Sequence, residues 1–252
     1  MLPQNETQEK LAPHPPLATF YRSPSDRPQF VQELFDRSAR HYDWLSAAMS
    51  LGTDRQYRKI TLRRAGLRGG MKLLDVATGT GLMAQAALDL GVSPRDLVGL
   101  DPSRGMLQEN RKRNPISLLQ GLGERLPFRD QVFDFITMSY ALRHVEDLGG
   151  LFREFHRVLR SGGRVLLLEL TRPTSRFGFL AMQFLLRKIV PWLTRLRTRE
   201  REPVTLMEYY WTTIAECVPP ETILSVLAGS GFSDARRQTL GSVLSEYTGV
   251  KS

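Results

Sequence analysis

The sequence has a single cysteine, Cys217, among its 252 residues. One thiol excludes an internal disulfide and any zinc site built on cysteines. No metal site is predicted from the sequence. The chain also has no run of about 18 apolar residues, which excludes a predicted membrane-spanning helix. Its first residues have no apolar stretch after their charges and predict no secretory signal. Together these absences favour a protein of a reducing interior, and we expect a cytoplasmic location.

Positive charge is in excess, with 35 Lys and Arg against 26 Asp and Glu. Much of the excess lies in residues 172–201, where eight basic residues accompany one acid, Glu200. Apolar residues at helical spacing alternate with these charges, and Pro191 is expected to kink or break the helix. Basic amphipathic helices of this kind bind membrane surfaces. We therefore expect contact with the inner face of a membrane; a lid helix with solvated arginines is the alternative.

The middle of the chain alternates short apolar runs with helical patterns. The apolar runs are Lys72–Val76, Leu97–Leu100, Ile116–Leu119, Phe133–Met138 and Arg164–Leu170. Helical patterns occupy Leu82–Leu90, Ser103–Arg113 and Leu148–Leu159. This alternation predicts an α/β fold of βαβ units around a parallel sheet, with ligands at the carboxyl ends of the strands.

The flanking regions have different patterns. Residues 1–26 are polar and rich in proline, and they predict a flexible tail before a domain over residues 27–252. Helical patterns begin at Pro28 and at Asp54. A helical insertion is expected at about residues 172–216, and the last segment predicts an antiparallel hairpin.

A glycine loop follows the first strand of the predicted sheet, in the stretch "LLDVATGTGLMAQAAL" from Leu73 to Leu88. Gly79 and Gly81 permit a tight turn and a close approach of the backbone to a ligand. The helix that begins there offers free N–H groups. Asp101 ends the next strand, where its carboxylate can accept both hydroxyls of a ribose. The stretch therefore predicts a site for an adenosine-containing ligand.

Two ligands of that kind compete for the loop. The residues from Gly79 to Ala84 read G-x-G-x-x-A, which is also the dinucleotide fingerprint and would predict an NAD(P)-dependent oxidoreductase. Asp75 precedes Gly79 by four residues, and a carboxylate there repels a pyrophosphate. The same carboxylate suits a positively charged amino-acid tail, which favours S-adenosyl-L-methionine.

Several segments resemble the successive motifs of class I S-adenosylmethionine-dependent methyltransferases. They are "DVATGTG", "GLDPSRGML", "ERLPFRDQVFDFITMSYALRHV" and "RVLRSGGRVLLLE". The lead-in "LFDRSARHYDWLSAAMSLGTDRQYRK" resembles, more narrowly, the ubiquinone/menaquinone C-methyltransferase family. The resemblance covers about residues 28–231. It implies a Rossmann-like fold with a mostly parallel seven-stranded sheet flanked by helices, N-terminal helices and a helical lid insertion.

The same resemblance implies a set of residues that bind S-adenosyl-L-methionine at the loop, the ribose, the adenine and the end of the fourth strand. They are Asp75, Gly79, Thr80, Gly81, Asp101, Leu122, Gly123 and Ser139. Local capping is the alternative for Thr80 and Ser139. Where the family commonly has Asn-Ala beside the adenine, this chain has Leu122-Gly123, which removes one side-chain hydrogen bond.

Arg143 and His144 are the predicted catalytic residues, because they follow the fourth strand where an acceptor should lie. A hydroquinone ring carbon is a poor nucleophile until a neighbouring phenol loses its proton. The resemblance implies that Arg143 stabilises a phenolate, and His144 has the ordinary pKa of a base near neutrality. A surface ion pair with Glu146 or Asp147 is the alternative.

Aromatic residues on two other segments are further candidates. Tyr42 and Asp43 are placed to close over the cofactor, with helix packing as the alternative for Tyr42. The cluster Tyr209, Tyr210 and Trp211 is placed to line an aromatic acceptor pocket, with an ordinary core as the alternative.

The sequence thus predicts a methyltransferase that acts on a ring carbon of a prenylated quinol or a similar lipophilic aromatic. A methyltransferase for a phospholipid amine or a secondary metabolite is the alternative within the class. Two alternatives belong to other functional classes, the NAD(P)-dependent oxidoreductase and a catalytically silent binding protein that resembles a methyltransferase. No nucleic-acid partner is expected, because "SYAL" stands where amine methylases often carry "NPPY" and no RNA module is visible. A homodimer is compatible with the sequence.

Overall fold

The computed structural model describes residues 10–50, 52–197, 202–241 and 243–252. A seven-stranded sheet in the order β3-β2-β1-β4-β5-β7-β6 forms the centre of the protein. The first five strands are parallel, and β7 pairs antiparallel with both β5 and β6. The strands are β1 Leu73–Val76, β2 Leu97–Asp101, β3 Ser117–Gln120, β4 Phe133–Ser139, β5 Leu159–Leu170, β6 Phe232–Leu240 and β7 Leu244–Lys251.

Helices precede, separate and follow these strands. They are α1 Arg27–Ser50, α2 Asp54–Arg64, α3 Leu82–Leu88, α4 Arg104–Arg113, α5 Leu148–Val158, α6 Arg176–Phe184, α7 Val190–Arg197, α8 Glu202–Ala215 and α9 Pro220–Gly229. The predicted fold class, the five parallel strands and the closing hairpin are confirmed.

Alternate residues of the central strands build two separate cores, because successive side chains of a strand point to opposite faces. Leu74 and Ile136 pack in one core with residues of α5 and α9. Leu73 and Phe135 pack in the other with residues of α2 and α3. The sheet is therefore covered on both faces, which leaves the carboxyl ends of its strands as the place for a ligand.

The flexible tail predicted for residues 1–26 is wrong for residues 10–26, which pack against the domain. Leu17 and Tyr21 are buried, and the amide of Leu148 donates to the carbonyl of Leu11 at 2.9 Å. Buried His14 accepts a hydrogen bond from Arg27 at 2.8 Å. Buried apolar side chains and a few hydrogen bonds thus hold a proline-rich segment that composition alone marks as mobile. Residues 1–9 lie outside the described residues.

The helical insertion contains the interruption expected near Pro191. A π-helical turn, Leu185–Ile189, joins α6 to α7. A proline ring clashes with the carbonyl of the residue four positions earlier, here Arg187, and this residue lies within the π turn. The wider turn therefore accommodates the proline while the helical path continues. None of the helices in the described part of the chain has the length and apolar character needed to cross a bilayer.

Candidate active site

A cavity of about 610 Å³ lies at the carboxyl ends of β1, β2 and β4. Residues at or just after the three strand ends line it, and α1 supplies the opposite wall. The principal lining residues are Ala77, Gly79, Asp101, Ser103, Ser139 and Tyr140 from the sheet, with Gln32, Phe35 and Tyr42 from α1. This is the position in which open α/β sheets bind their ligands.

Asp101 is held in the cavity wall by two backbone donors. The N–H of Gly79 donates to its Oδ2 at 2.8 Å, and the N–H of Ser103 donates to its Oδ1 at 2.8 Å. Burial raises the pKa of this carboxyl to about 7, although the two N–H groups partly offset the rise. A buried carboxylate with spare lone pairs is suited to accept the two hydroxyls of a ribose.

The raised pKa of Asp101 predicts a pH-dependent affinity for S-adenosyl-L-methionine. The ionised form accepts both hydroxyl hydrogen bonds, and the protonated form does not, so affinity falls as the pH drops through about 7. We expect a dissociation constant about tenfold higher at pH 6 than at pH 8 by calorimetry. Asp101→Asn is the control, because it keeps any pH dependence of the ligand itself. Parallel curves for the two proteins would contradict the prediction.

Asp75 lies behind the cavity wall and does not reach its surface. The hydroxyl of Thr78 donates to one of its carboxylate oxygens and the hydroxyl of Thr137 to the other, both at 2.6 Å. Burial raises the pKa of this carboxyl. The prediction that Asp75 lies beside the positive end of the cofactor is therefore wrong. Its carboxylate instead connects β1 to β4 through the hydrogen bond from Thr137.

The two glycines of the loop serve different purposes. Both have positive φ, +55° at Gly79 and +85° at Gly81. Gly79 lines the cavity, with open space where a Cβ would stand. A Cβ at Gly81 would instead overlap the side chains of Asn110 and Asn114. Gly81 therefore allows α4 to pack against the loop. The sequence analysis predicts instead that this glycine permits a close approach of the backbone to a ligand.

Thr80 and Asp43 are brought together, but outside the main cavity. The Thr80 hydroxyl donates to Asp43, which also forms an ion pair with Arg113 on α4. Asp43 lines a smaller neighbouring pocket. The three residues therefore fasten α1 and α4 to the glycine loop, and the side chain of Thr80 is engaged in this contact.

The remaining predicted cofactor residues, Leu122, Gly123 and Ser139, all line the main cavity. A Cβ at Gly123 would lie 2.6 Å from Leu151, so the backbone here fits closely against α5. The Ser139 hydroxyl is buried and has no hydrogen-bond partner within the described residues. Buried hydroxyls rarely stay unsatisfied, so this group is suited to a polar ligand atom.

Arg143 lies at 0 % exposure, and its predicted position facing the acceptor at the rim is wrong. Its guanidinium forms an ion pair with Glu169, and its Nη1 donates to the carbonyl of Tyr140 at 3.0 Å. Its Cζ lies 4.5 Å from the centre of the Tyr210 ring. Neither Glu146 nor Asp147 is its partner. The charge of Arg143 is thus compensated by Glu169 in the interior of the protein, behind the cavity wall.

His144 lines the main cavity among aromatic rings. It stacks on Tyr209 and Tyr210 with centroid distances of 5.3 and 5.8 Å, and the ring of Phe35 meets it edge-on at 5.2 Å. Both ring nitrogens are buried and lack partners in the part of the chain that the structure describes. Burial, with nearby Arg143 and Arg27, holds its pKa well below the ordinary value. The neutral imidazole can form a hydrogen bond but is a weak base.

A second cavity of about 450 Å³ adjoins the first and shares two lining residues with it, Tyr42 and Tyr140. Its walls come from α1, α2, α6, the π turn, α8 and the β6–β7 hairpin. They are mostly apolar, with Met49, Leu170, Met182, Leu185, Leu186, Leu240, Val243 and Leu244. Of the aromatic cluster, Tyr210 lines this cavity, while Tyr209 and Trp211 pack in a buried core.

Sequence analysis missed Tyr140, which lies at the junction of the two cavities. It adopts a positive φ of 58°, uncommon for a residue with a side chain. Its hydroxyl donates to Asp54 at 3.4 Å. The sequence offered one signal for it, its place directly after Ser139 at the end of a predicted strand.

Among the described residues, no group of three His, Cys, Asp or Glu is placed to hold a metal ion.

Comparisons with known proteins agree with this fold. A sequence model described as the ubiE/COQ5 methyltransferase family matches residues 23–251. The chain is 33 % identical to a demethylmenaquinone methyltransferase of Bacteroides fragilis, over 98 % of this chain and 100 % of that protein. It is 32 % identical to the ubiquinone/menaquinone biosynthesis C-methyltransferase UbiE of Desulfotalea psychrophila, over 81 % of this chain and 82 % of that protein. Phosphoethanolamine N-methyltransferase 2 of Haemonchus contortus, solved with S-adenosyl-L-methionine, shares the fold with a TM-score of 0.60 and 17 % identity. The match covers 90 % of this chain and 58 % of that chain.

Proposed function

The chain belongs to the ubiE/COQ5 methyltransferase family, and we propose that it methylates a ring carbon of a prenylated quinol. It is an S-adenosyl-L-methionine-dependent methyltransferase, as its sequence predicts. Two relatives that match most of its length are named for quinone methylation, which favours this acceptor over a phospholipid amine. The G-x-G-x-x-A pattern by itself no longer favours a nicotinamide oxidoreductase.

Five of the eight predicted cofactor residues line the main cavity, namely Gly79, Asp101, Leu122, Gly123 and Ser139. Asp101 faces the ribose position from the end of β2, and Ser139 offers a buried hydroxyl from the end of β4. The backbone at Gly79 leaves room for the ligand to approach. When bound, S-adenosyl-L-methionine supplies a methyl group already activated by a positively charged sulfur. What remains for the protein is to position the acceptor and adjust its charge.

The observation that carries the proposal is the pairing of the two cavities at Tyr42 and Tyr140. An acceptor in the apolar cavity would place its ring at these tyrosines and its prenyl chain among the leucines and methionines. The ring carbon would then face the main cavity. Ligand sites with apolar walls and a few convergent polar groups are typical for such molecules.

Arg143 fits this scheme as a positioning residue. Its hydrogen bond to the Tyr140 carbonyl and its contact with the Tyr210 ring hold two walls of the apolar cavity. Of the two predicted catalytic residues, His144 is the one that lines the main cavity, and its two buried ring nitrogens have no partner among the described residues. Its low pKa makes it a hydrogen-bond partner for acceptor or cofactor, in place of the base that the sequence predicts.

Radiolabelled methyl transfer into a membrane lipid extract tests the choice of acceptor. The extract should contain unmethylated quinone precursors, reduced before the assay, together with phospholipids. Chromatography should place the label in the quinone fraction. Label in phospholipid headgroups would support the amine methyltransferase and overturn the quinol, while leaving the cofactor site intact.

The helical insertion supports a second part of the proposal, docking on an anionic lipid surface. Large apolar side chains on α6 and α7 are exposed, with Phe177 at 83 %, Phe184 at 60 % and Trp192 at 59 %. Arg176, Arg187 and Lys188 are exposed beside them. On α6, Ala181 and Met182 also line the apolar cavity. A docked α6 would therefore bring the cavity next to the bilayer in which a prenylated acceptor dissolves.

Vesicle sedimentation tests the docking. Phe177→Ser with Phe184→Ser should weaken binding to anionic vesicles at least about tenfold, because each buried phenylalanine contributes about 1.5–3 kcal/mol. Ile60→Ser is the matched control, since Ile60 is an exposed apolar residue on α2, at 47 %. Equal binding by both variants and the unaltered protein would refute a lipid surface there.

Two of the eight basic residues in the segment, Arg199 and Arg201, lie outside the described residues. The cytoplasmic location and the homodimer stay predictions.

A further inference from the structure

We infer that Asp54 is the general base that removes the hydroxyl proton of the acceptor. The inference rests on the proposed function, because it requires the acceptor ring to lie between the two cavities. Among the described residues that line the apolar cavity, Asp54 is the one with a charged side chain. Its carboxylate, at 12 % side-chain exposure, lies beside the hydroxyl of Tyr140.

The two carboxylate oxygens of Asp54 have different partners. Oδ2 accepts a hydrogen bond from the Nε of Arg58 at 2.7 Å. Oδ1 accepts from the Tyr140 hydroxyl at 3.4 Å, which is long for an O–H···O hydrogen bond. Oδ1 therefore keeps the capacity to accept a shorter hydrogen bond. The position of the tyrosine hydroxyl shows that an aromatic hydroxyl at the junction of the cavities is within reach of this oxygen.

The surroundings suit a carboxylate that must stay charged in an apolar cavity. Arg58, with 4 % side-chain exposure, compensates the charge of Asp54. The Arg58 guanidinium also lies 5.0 Å from the centre of the Tyr140 ring. Uncharged polar residues also line the cavity, namely Tyr42, Ser46 and Ser50 on α1, with Thr53, Tyr57 and Tyr210. On the facing helix α6, the lining residues Gly178, Ala181 and Met182 carry no charge. Arg58 thus acts as a positioning residue for the base.

The chemistry balances with one proton released. Oδ1 of Asp54 takes the hydroxyl proton, and the electron pair left on oxygen raises the electron density on the adjacent ring carbon. This carbon forms a bond to the methyl carbon as the methyl–sulfur bond breaks, and the electrons of that bond remain on sulfur. The ring carbon then loses its hydrogen as a proton to water, which restores the aromatic ring. Asp54 returns its proton to the phenolate oxygen.

Asp54→Asn tests the base, with two acceptors of different acidity. With an ordinary prenylated naphthoquinol, the variant should lose about 10²–10⁴-fold in kcat, the range for a general base. With a halogenated quinol whose hydroxyl is already ionised at the assay pH, no base is needed, and the deficit should shrink to about threefold or less. An equal deficit with both acceptors would overturn the inference, and so would near-normal activity on the ordinary quinol.

Controls separate the base from folding and from the proposed function. Asp89, at the end of α3, forms ion pairs with Arg55 and Lys59 on α2 outside both cavities. Asp89→Asn breaks these pairs and should change kcat less than about threefold. Asp54→Glu keeps the carboxylate next to Arg58 and should recover most of the folding and part of the rate. Affinity for S-adenosyl-L-methionine should stay unchanged in all three variants. If the unaltered enzyme methylates no quinol, the proposed function fails, whatever Asp54 does.

Discussion

Arg143→Met is expected to lower the free energy of unfolding by about 3–5 kcal/mol, because it leaves a buried charge without its partner. The partner is Glu169, which is 2 % exposed and forms its ion pair with Arg143. Arg143 also donates to Thr213 on α8 at 3.1 Å, so the variant loosens the lid as well as the sheet. Urea denaturation of the apoprotein measures the loss.

The double variant Arg143→Met with Glu169→Gln is the control for this prediction. It removes the charge along with its partner and should recover most of the lost stability. Activity should follow the same order, low in the single variant and partly recovered in the double. A single variant with normal stability and no activity would contradict a positioning role and restore Arg143 as a residue that stabilises the phenolate.

Gly81→Ala is expected to damage both folding and cofactor binding. An alanine at a φ of +85° costs about 1–2 kcal/mol in backbone strain. Its Cβ would also displace Asn110 and Asn114, and Asn110 donates to the carbonyl of Gly79 in the cofactor loop. We therefore expect a lower melting temperature and an affinity for S-adenosyl-L-methionine weakened at least about tenfold.

Gly91→Ala provides a matched comparison. Gly91 has a similar φ of +89°, but open space surrounds the position of its Cβ and it lies outside both cavities. It should show the backbone strain alone, with cofactor affinity unchanged. If the two variants lose the same stability and affinity, the packing of α4 against the loop does not matter for the site.

The sequence predicted the sheet well because its signals are local. Each parallel strand contains a short apolar run, such as Leu97–Leu100 in β2. The longest of them, β5, begins at Leu159, before its predicted run Arg164–Leu170. Gly79 and Asp101 follow strand ends, and parallel topology brings such ends together. The parallel sheet and the place of its ligand site could therefore be predicted before any contact was known, whereas the choice of S-adenosyl-L-methionine depended on the resemblance to a family.

The errors concern residues whose roles depend on distant partners. Arg143 follows β4 as a rim residue would, but Glu169 on β5 and Thr213 on α8 draw it into the interior. Asp75 is likewise held by Thr137, a neighbour across the sheet. Spacing along the chain carries no information about such partners.

The apolar cavity could not be predicted for a related reason. Its walls come from α1, α2, α6, α8 and the β6–β7 hairpin, which are far apart in the sequence. Asp54 resembles an ordinary residue of a helix start, and in the sequence it marks only where a helical pattern begins. Its importance follows from the meeting of α2 with Tyr140, a contact between residues 86 positions apart.

Methyl transfer to a purified, prenylated naphthoquinol tests the central claim most directly. The enzyme should be given the same molecule in its reduced and its oxidised form, and the product should be analysed by nuclear magnetic resonance. We predict that the reduced form alone is methylated, with the new methyl group bonded to a ring carbon beside a hydroxyl-bearing carbon. Methylation of a ring oxygen, or no transfer to the quinol while the cofactor binds tightly, would contradict the account.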